Sequence, residues 1–280
     1  MKSIVSLGKV ATKIAMVFKN YPQYTVYKIN KEANKKSKFT LPLPSYENPE
    51  DYDALELELG TFFQRLSKDV LFIVCGSSVE SAFSLKVLKA LREQEAIVTI
   101  LYIVPERAFL NEVERLNERV VYHVLQEYTR SGLFERLFLV DNQLLSDCLG
   151  PGELNLINYH DKTNELLANT IHMINVFNHT KPIISDVSSL QDTSRLGTFG
   201  VTALGEEERS FFLLDKPTEK DYYLAMNKTD VTSPGTMERV KTHMGLHSAD
   251  QKINYSVYTT EYDESYIYYM IYSSKIQEIA

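Results

Sequence analysis

The sequence predicts an α/β protein with a Rossmann-like, mostly parallel sheet, a long central helix and a smaller C-terminal α+β domain. Three observations predict it. Residues 70–75 and 96–104 are short, continuous apolar runs, the pattern of strands covered on both faces. Around them lie segments whose apolar residues recur at helical spacing. Beyond Lys181 the texture shifts to shorter strands, and half of the 18 tyrosines fall after residue 220, which marks a second domain. The expected division is 1–160, a central helix over 161–180, and 181–280.

In chain order, residues 4–7 read as a buried strand, and Gly8 opens a helix with Val10, Ala11, Ile14, Ala15 and Phe18 on one face. Residues 24–29 form a second strand ending at Asn30, which completes a strand, turn, helix, strand unit. The stretch 31–51 mixes lysine, proline and polar residues without period and is expected as a long surface loop. Residues 52–67 are amphipathic. A helix is expected over 82–91, and another within 106–130 with Val113, Leu116, Val120, Val124 and Leu125 inward. A strand over 137–140 runs into Asp141 and Asn142. The long helix over 161–177 carries Leu166, Leu167, Thr170, Ile171, Ile174 and Phe177 on its buried stripe. Further on, Ser233 and Pro234 cap a helix that Gly245 stops, and 253–260 pairs with 266–272 as a hairpin.

Bulk properties narrow the function. The chain has 280 residues, 44% of them hydrophobic and 24% charged, ordinary values for a folded protein. A net charge of -7 argues against a general nucleic-acid surface. Lys9 and Lys13 interrupt the first apolar run, and no stretch approaches the roughly 20 apolar residues of a membrane span. Two cysteines, Cys75 and Cys148, suit a reducing compartment, so a cytoplasmic location is expected, the host cytoplasm if the source is viral. The six histidines form no ligand pattern with the cysteines; His243 and His247 lack acidic support, so no metal site is expected. The tyrosine-rich 266–272 alternates as a half-buried strand does.

The succession of segments resembles the tubulin/FtsZ family. IVSLGKVATKIAMVF stands where that family has its first glycine-rich strand-to-helix loop, and TVYKINKEAN is similar to its second strand, which ends in an asparagine. VLFIVCGSSVESAFSLKVLKALREQEAIVTILYIVPE is similar to the family's strand, signature loop, helix, strand and proline. ERLNERVVYHVLQEYTRSGLFERLFLVDNQLLSDCLG looks like the next helix and strand, and NYHDKTNELLANTIHMINVF resembles the start of the central helix. The match in motif order covers roughly residues 1–200.

The resemblance implies a guanine-nucleotide site at Gly8, Asn30, Gly76, Ser77, Ser78 and Asn142, with His160 and Asn164 facing the base from the central helix. It would hold GTP or GDP with Mg²⁺. The departures are pointed: the family's GGGTGTG is GSSVES here, and the first loop keeps only Gly8. Glycines let successive backbone N–H groups close around phosphate. Glu80 instead brings a carboxylate toward that place, where it would repel phosphate. The expected cofactor is therefore none, or GTP or GDP bound weakly. The family completes catalysis across a subunit contact with acidic residues after the central helix. The aligned segment is DVSSLQD, and the acidic positions fall on Ser188 and Gln191. Asp186 and Asp192 are the catalytic candidates if the protein is active; otherwise they cap or lie in a loop.

The function expected on this resemblance is a structural or assembly protein that has lost most or all GTP chemistry. It would act through head-to-tail self-association or another protein. An active, polymerising GTPase and a non-polymerising α/β regulatory or ligand-binding module are the alternatives.

Overall fold

The computed structural model describes residues 2–33, 35–150, 152, 154–155, 157–188, 190–247 and 250–278. The chain opens with β1 (Lys2–Leu7), α1 (Lys9–Val17), β2 (Tyr24–Asn30), β3 (Thr40–Pro42) and α2 (Pro49–Ala54). β4 (Asp69–Cys75), α3 (Ser84–Glu93), β5 (Ile97–Val104), α4 (Glu112–Arg130), β6 (Arg136–Asp141) and α5 (Asn142–Asp147) follow. The 19-residue α6 (Tyr159–Phe177) leads to β7 (Ile184–Asp186), β8 (Leu196–Ala203) and β9 (Glu219–Asn227). Last come α7 (Lys228–Thr232), α8 (Thr236–His247), β10 (Lys252–Thr260) and β11 (Tyr266–Ser273).

The eleven strands of the described residues join one sheet in the order β3-β2-β1-β4-β5-β6-β8-β11-β9-β10-β7. From β3 to β8 every neighbouring pair is parallel, so the sheet is mostly parallel, as its continuous apolar runs require. β4 shows why: from Val70 to Cys75 every residue is buried, which needs a covering layer on each face. One layer's core gathers Val87, Leu91, Tyr122 and Leu125 of α3 and α4 against Phe72 and Tyr102. The other gathers Ala11 and Ile14 of α1 and Leu167, Ile171 and Phe177 of α6 against Ile73, Leu101 and Tyr223.

Several expectations need correction. The stretch 31–51 is not a structureless loop: Leu41 pairs with Ile29 in β3, and α2 starts at Pro49. Buried Leu41 and Leu43 anchor it, and Tyr52 donates its hydroxyl to the Pro44 carbonyl at 3.0 Å. In 52–67 the helix stops at Ala54, and turns bury Leu59, Phe62 and Phe63. α8 runs through Gly245 to His247, because that glycine keeps helical backbone with open space where a Cβ would stand. The β10–β11 hairpin does not form. β9 lies between them, parallel to β10 and antiparallel to β11, and Tyr222 to Met226 are all buried there. Period-two alternation marks a strand but does not choose its neighbour.

α4 is also turned relative to expectation. Val113, Leu116 and Val120 are exposed at 49%, 61% and 54%, whereas Asn117, Glu118, Val121, Tyr122, Leu125 and Gln126 are buried. Polar partners inside the fold outweigh the apolar period, because Asn117 and Glu118 are hydrogen-bonded there.

Candidate functional site

Strand order reverses between β1 and β4, and in such sheets the ligand crevice opens beyond the carboxyl ends of the strands at that reversal. Gly8 and Gly76 follow those two strands. Gly8 caps α1 with φ 88°, a conformation that favours glycine, and its N–H donates to the Ile29 carbonyl at 2.8 Å. Next to it Asn30, buried, donates Nδ2 to Thr12 Oγ1 at 2.9 Å. The Asn30 Oδ1 has no partner.

Glu80, in the loop after β4, lies between the loops that follow β1 and β2. It is 1% exposed; its Oε1 accepts the Lys31 backbone N–H at 2.7 Å and its Oε2 accepts the Ser78 hydroxyl at 2.8 Å. A Cβ on Gly8 would stand 3.5 Å from both Glu80 Oε2 and Ser78 Oγ, so the two loops meet across this carboxylate.

Four backbone donors of GSSVES, those of Gly76, Ser78, Glu80 and Ser81, are satisfied within the fold. The Gly76 N–H reaches the Ile103 carbonyl at 3.1 Å, Ser78 N–H the Cys75 carbonyl at 3.5 Å, and Ser81 N–H the Ser78 carbonyl at 3.0 Å. The Glu80 N–H reaches Ser78 Oγ at 3.2 Å, and residues 79–83 wind into a short 3-10 turn before α3. Asn117 of α4 ties this turn down, donating to the Ser78 carbonyl at 3.2 Å and to Ser81 Oγ at 2.9 Å. The Ser77 hydroxyl sits 3.1 Å from Cys75 Sγ, whose thiol burial pushes up.

Gly76 is small for a second reason. A Cβ there would overlap the Tyr102 hydroxyl and lie 2.7 Å from Glu118 Cγ. Glu118 is fully buried and its carboxylate meets the Arg107 guanidinium at 2.8 Å. Burial, with the Glu118 charge adding to it, holds the Tyr102 phenol well above its usual range, so it stays neutral and donates toward Glu118 at 3.4 Å. The space beneath the loop is thus packed with protein side chains.

Of the expected residues, Gly8 and Ser78 lie against Glu80, Asn30 precedes Lys31, whose N–H Glu80 accepts, and Gly76 and Ser77 belong to the same loop as Ser78. The other expected residues belong to other elements. Asn142 is the first residue of α5, capped by Asp141, whose Oδ1 accepts the Gln143 N–H at 2.8 Å. His160 is exposed in the first turn of α6, its ring edge-on to Tyr159 at 5.3 Å, and Asn164 is half-buried one turn on. Neither acts as the helix cap; that place belongs to Asn158.

Asp186 is exposed in β7, opposite Tyr255, and Asp192 is exposed in the turn before β8. Ser188 and Gln191 are pinned nearby: Ser188 Oγ donates to Asn254 Oδ1 at 2.8 Å, and the Gln191 N–H donates to Glu219 Oε1 at 3.0 Å. His243 does have an acidic partner, Glu208 at 3.0 Å, which corrects the sequence expectation. Among the described residues, no group of three or more His, Cys, Asp or Glu side chains is placed to hold a metal. Nor is any helix there long and apolar enough to cross a membrane. Sequence reasoning missed Tyr102, Arg107, Asn117 and Glu118; the only signal was two polar residues interrupting the apolar spacing of α4.

A seven-strand parallel run that reverses at β1 and β4, followed by a long helix and an α+β sheet extension, is the tubulin/FtsZ fold. No family model matches the chain, and no curated protein is similar to it in sequence; the likeness is one of structure. It is similar to a GTPγS-form protofilament of TubZ from Bacillus thuringiensis serovar israelensis, with a TM-score of 0.72 at 14% identity, over 98% of this chain and 86% of that one. It is also similar to GTPγS-bound protofilament CetZ2 from Haloferax volcanii, with a TM-score of 0.65 at 13% identity over 97% and 92% of the two chains. GDP-bound monomeric CetZ1 from the same organism gives 0.63 at 12% identity over 98% and 94%.

Proposed function

We propose that this chain is a tubulin/FtsZ-like structural or assembly protein that has lost most or all GTP binding and hydrolysis and acts by head-to-tail self-association or through a partner protein. One observation carries the reading: a buried carboxylate, Glu80, occupies the crevice where a nucleotide's phosphates would approach. Anion on anion in a poorly solvated place is strongly unfavourable. The packing of Tyr102 and Glu118 beneath Gly76, and the internally bonded N–H groups of its loop, support the same reading, and these residues match a Mg²⁺-bound triphosphate poorly. Ser188 and Gln191 offer no carboxylate to orient water. The TubZ and CetZ2 structures are protofilaments, and by analogy with them this chain stacks head to tail, in an assembly that stays static because no hydrolysis releases the contact. Free Cys75 and Cys148 support a reducing, cytoplasmic setting.

Equilibrium binding of labelled GTP with Mg²⁺, beside sedimentation of the protein with and without nucleotide, tests this. The expected result is no binding up to millimolar GTP and sedimentation that ignores nucleotide. Micromolar binding overturns the loss of GTP, and a monomer at high concentration in every nucleotide condition overturns self-assembly.

A second reading, an active polymerising GTPase, draws support from the unpartnered Asn30 Oδ1, a buried acceptor at the crevice. It requires Asp186 or Asp192 to orient the water. Phosphate release that rises steeply with protein concentration, and falls in Asp186→Ala or Asp192→Ala, would favour it.

A further inference from the structure

α4 turns an apolar stripe, Val113, Leu116 and Val120, away from the core and leaves it exposed. Val113, Leu116, Val120 and half-buried Val124 line an open groove of about 460 Å³ between α4 and α3, with Leu85 on the α3 side. The groove continues past Leu85 to Tyr128, itself 42% exposed. From Val113 to Tyr128 the helix rises about 22 Å.

The charges along this groove are ordered. Glu50 and Asp53 of α2 flank the end near Val113 and Leu116. Lys89, Arg92 and Glu93 of α3 flank the end near Tyr128. The Lys89 ammonium lies 3.9 Å from Glu93, so the residues lining one end of the groove carry two negative charges and those lining the other one net positive charge. A surface with apolar residues along its length and opposite charge at its ends is complementary to itself when turned through 180°.

We propose that this groove is a two-fold interface that takes a second copy of the same chain, the two α4 helices antiparallel and crossing near Val120. In that arrangement Glu50 and Asp53 of each copy face Lys89 and Arg92 of the other, and the valine and leucine side chains meet along the middle. A parallel arrangement would set like charges together at both ends. The contact does not rest on the loss of GTP.

Cysteine crosslinking tests the register. In a Cys148→Ser background, Val120→Cys, Val113→Cys and Tyr128→Cys variants are treated with a short bismaleimide and the covalent dimer is followed with time. Val120→Cys is expected to link to itself at least tenfold faster than Val113→Cys, and Val113→Cys to link when mixed with Tyr128→Cys. Charge reversal, Glu50→Lys with Asp53→Lys, is expected to slow the Val120→Cys reaction at least tenfold, and adding Lys89→Glu with Arg92→Glu to restore it. Circular dichroism confirms that each variant is folded. A Val120→Cys rate less than tenfold above that of Val113→Cys overturns the proposal, as does self-linking of Val113→Cys as fast as its linking to Tyr128→Cys, which marks a parallel pair. A rate unmoved by charge reversal, or not restored by the four-residue swap, overturns it too.

Discussion

The Glu80 carboxylate accepts the backbone N–H of Lys31 at 2.7 Å, so a side chain from the loop after β4 closes the turn after β2. In a parallel sheet the loops at the reversal point are otherwise free to part around a ligand. Here a buried charge-assisted hydrogen bond ties them, and Ser78 holds the second carboxylate oxygen at 2.8 Å.

Glu80→Ala should therefore act in two directions. It leaves the Lys31 N–H and the Ser78 hydroxyl without their acceptor, at a cost of about 1–3 kcal/mol seen as a lower urea midpoint. It also removes the anion from the crevice, so any residual affinity for GTP should rise. Titration with labelled nucleotide checks the second effect, and an unchanged affinity would mean that the packed floor, not the charge, closes the site.

Gly76→Ala should destabilise the protein by about 1–3 kcal/mol through overpacking against Tyr102 and Glu118. Adding Tyr102→Phe removes the hydroxyl that the new methyl overlaps. The double variant should then regain part of the loss in chemical denaturation; strictly additive losses would place the strain elsewhere.

Asp221 gives a pH-dependent test. Burial holds its carboxyl above the usual carboxylate range, against hydrogen bonds from Asn254 at 2.7 Å and Tyr272 at 3.2 Å. A raised folded pKa contributes stability below the ordinary carboxylate pKa that is lost as pH rises through the folded value. Asp221→Asn keeps an acceptor for Asn254 and cannot ionise. Its stability relative to wild type should therefore be greater at pH 7 than at pH 3.5, measured by urea midpoints at both.

Gln126 and Gln277 bind each other reciprocally: Gln277 N–H donates to Gln126 Oε1 at 2.8 Å, and Gln126 Nε2 donates to the Gln277 carbonyl at 3.1 Å. Gln277 Oε1 also accepts the Asp215 N–H at 2.6 Å, so this strap holds α4 to the segment before β9. Gln126→Ala should orphan two buried backbone groups and cost about 1–3 kcal/mol, with faster hydrogen exchange over residues 274–278.

Much of the fold was legible because burial on both faces leaves a local mark. β4, β5 and α6 are continuous or periodic apolar segments, and their boundaries in the structure lie within two residues of the expected ones. The chemistry of the loop after β4 was legible too, since GSSVES states what each position can and cannot donate. The orientation of α4 was not: Val113, Leu116 and Val120 have the spacing of a core face, and only the partners of Asn117 and Glu118 show that the core takes the other side.

By itself, then, the sequence determined the succession β1-α1-β2, the succession β4-α3-β5-α4-β6 and the long α6, together with the reversal-point glycines Gly8 and Gly76 and an acid at Glu80, because hydrophobic period and backbone sterics act over a few residues. Tertiary structure alone decided that β9 would part β10 from β11, that Tyr102 and Glu118 would fill the floor under Gly76, and that Lys31 would close on Glu80. Those contacts join residues 16 to 53 positions apart, and their energies depend on burial and on partners that no local pattern specifies.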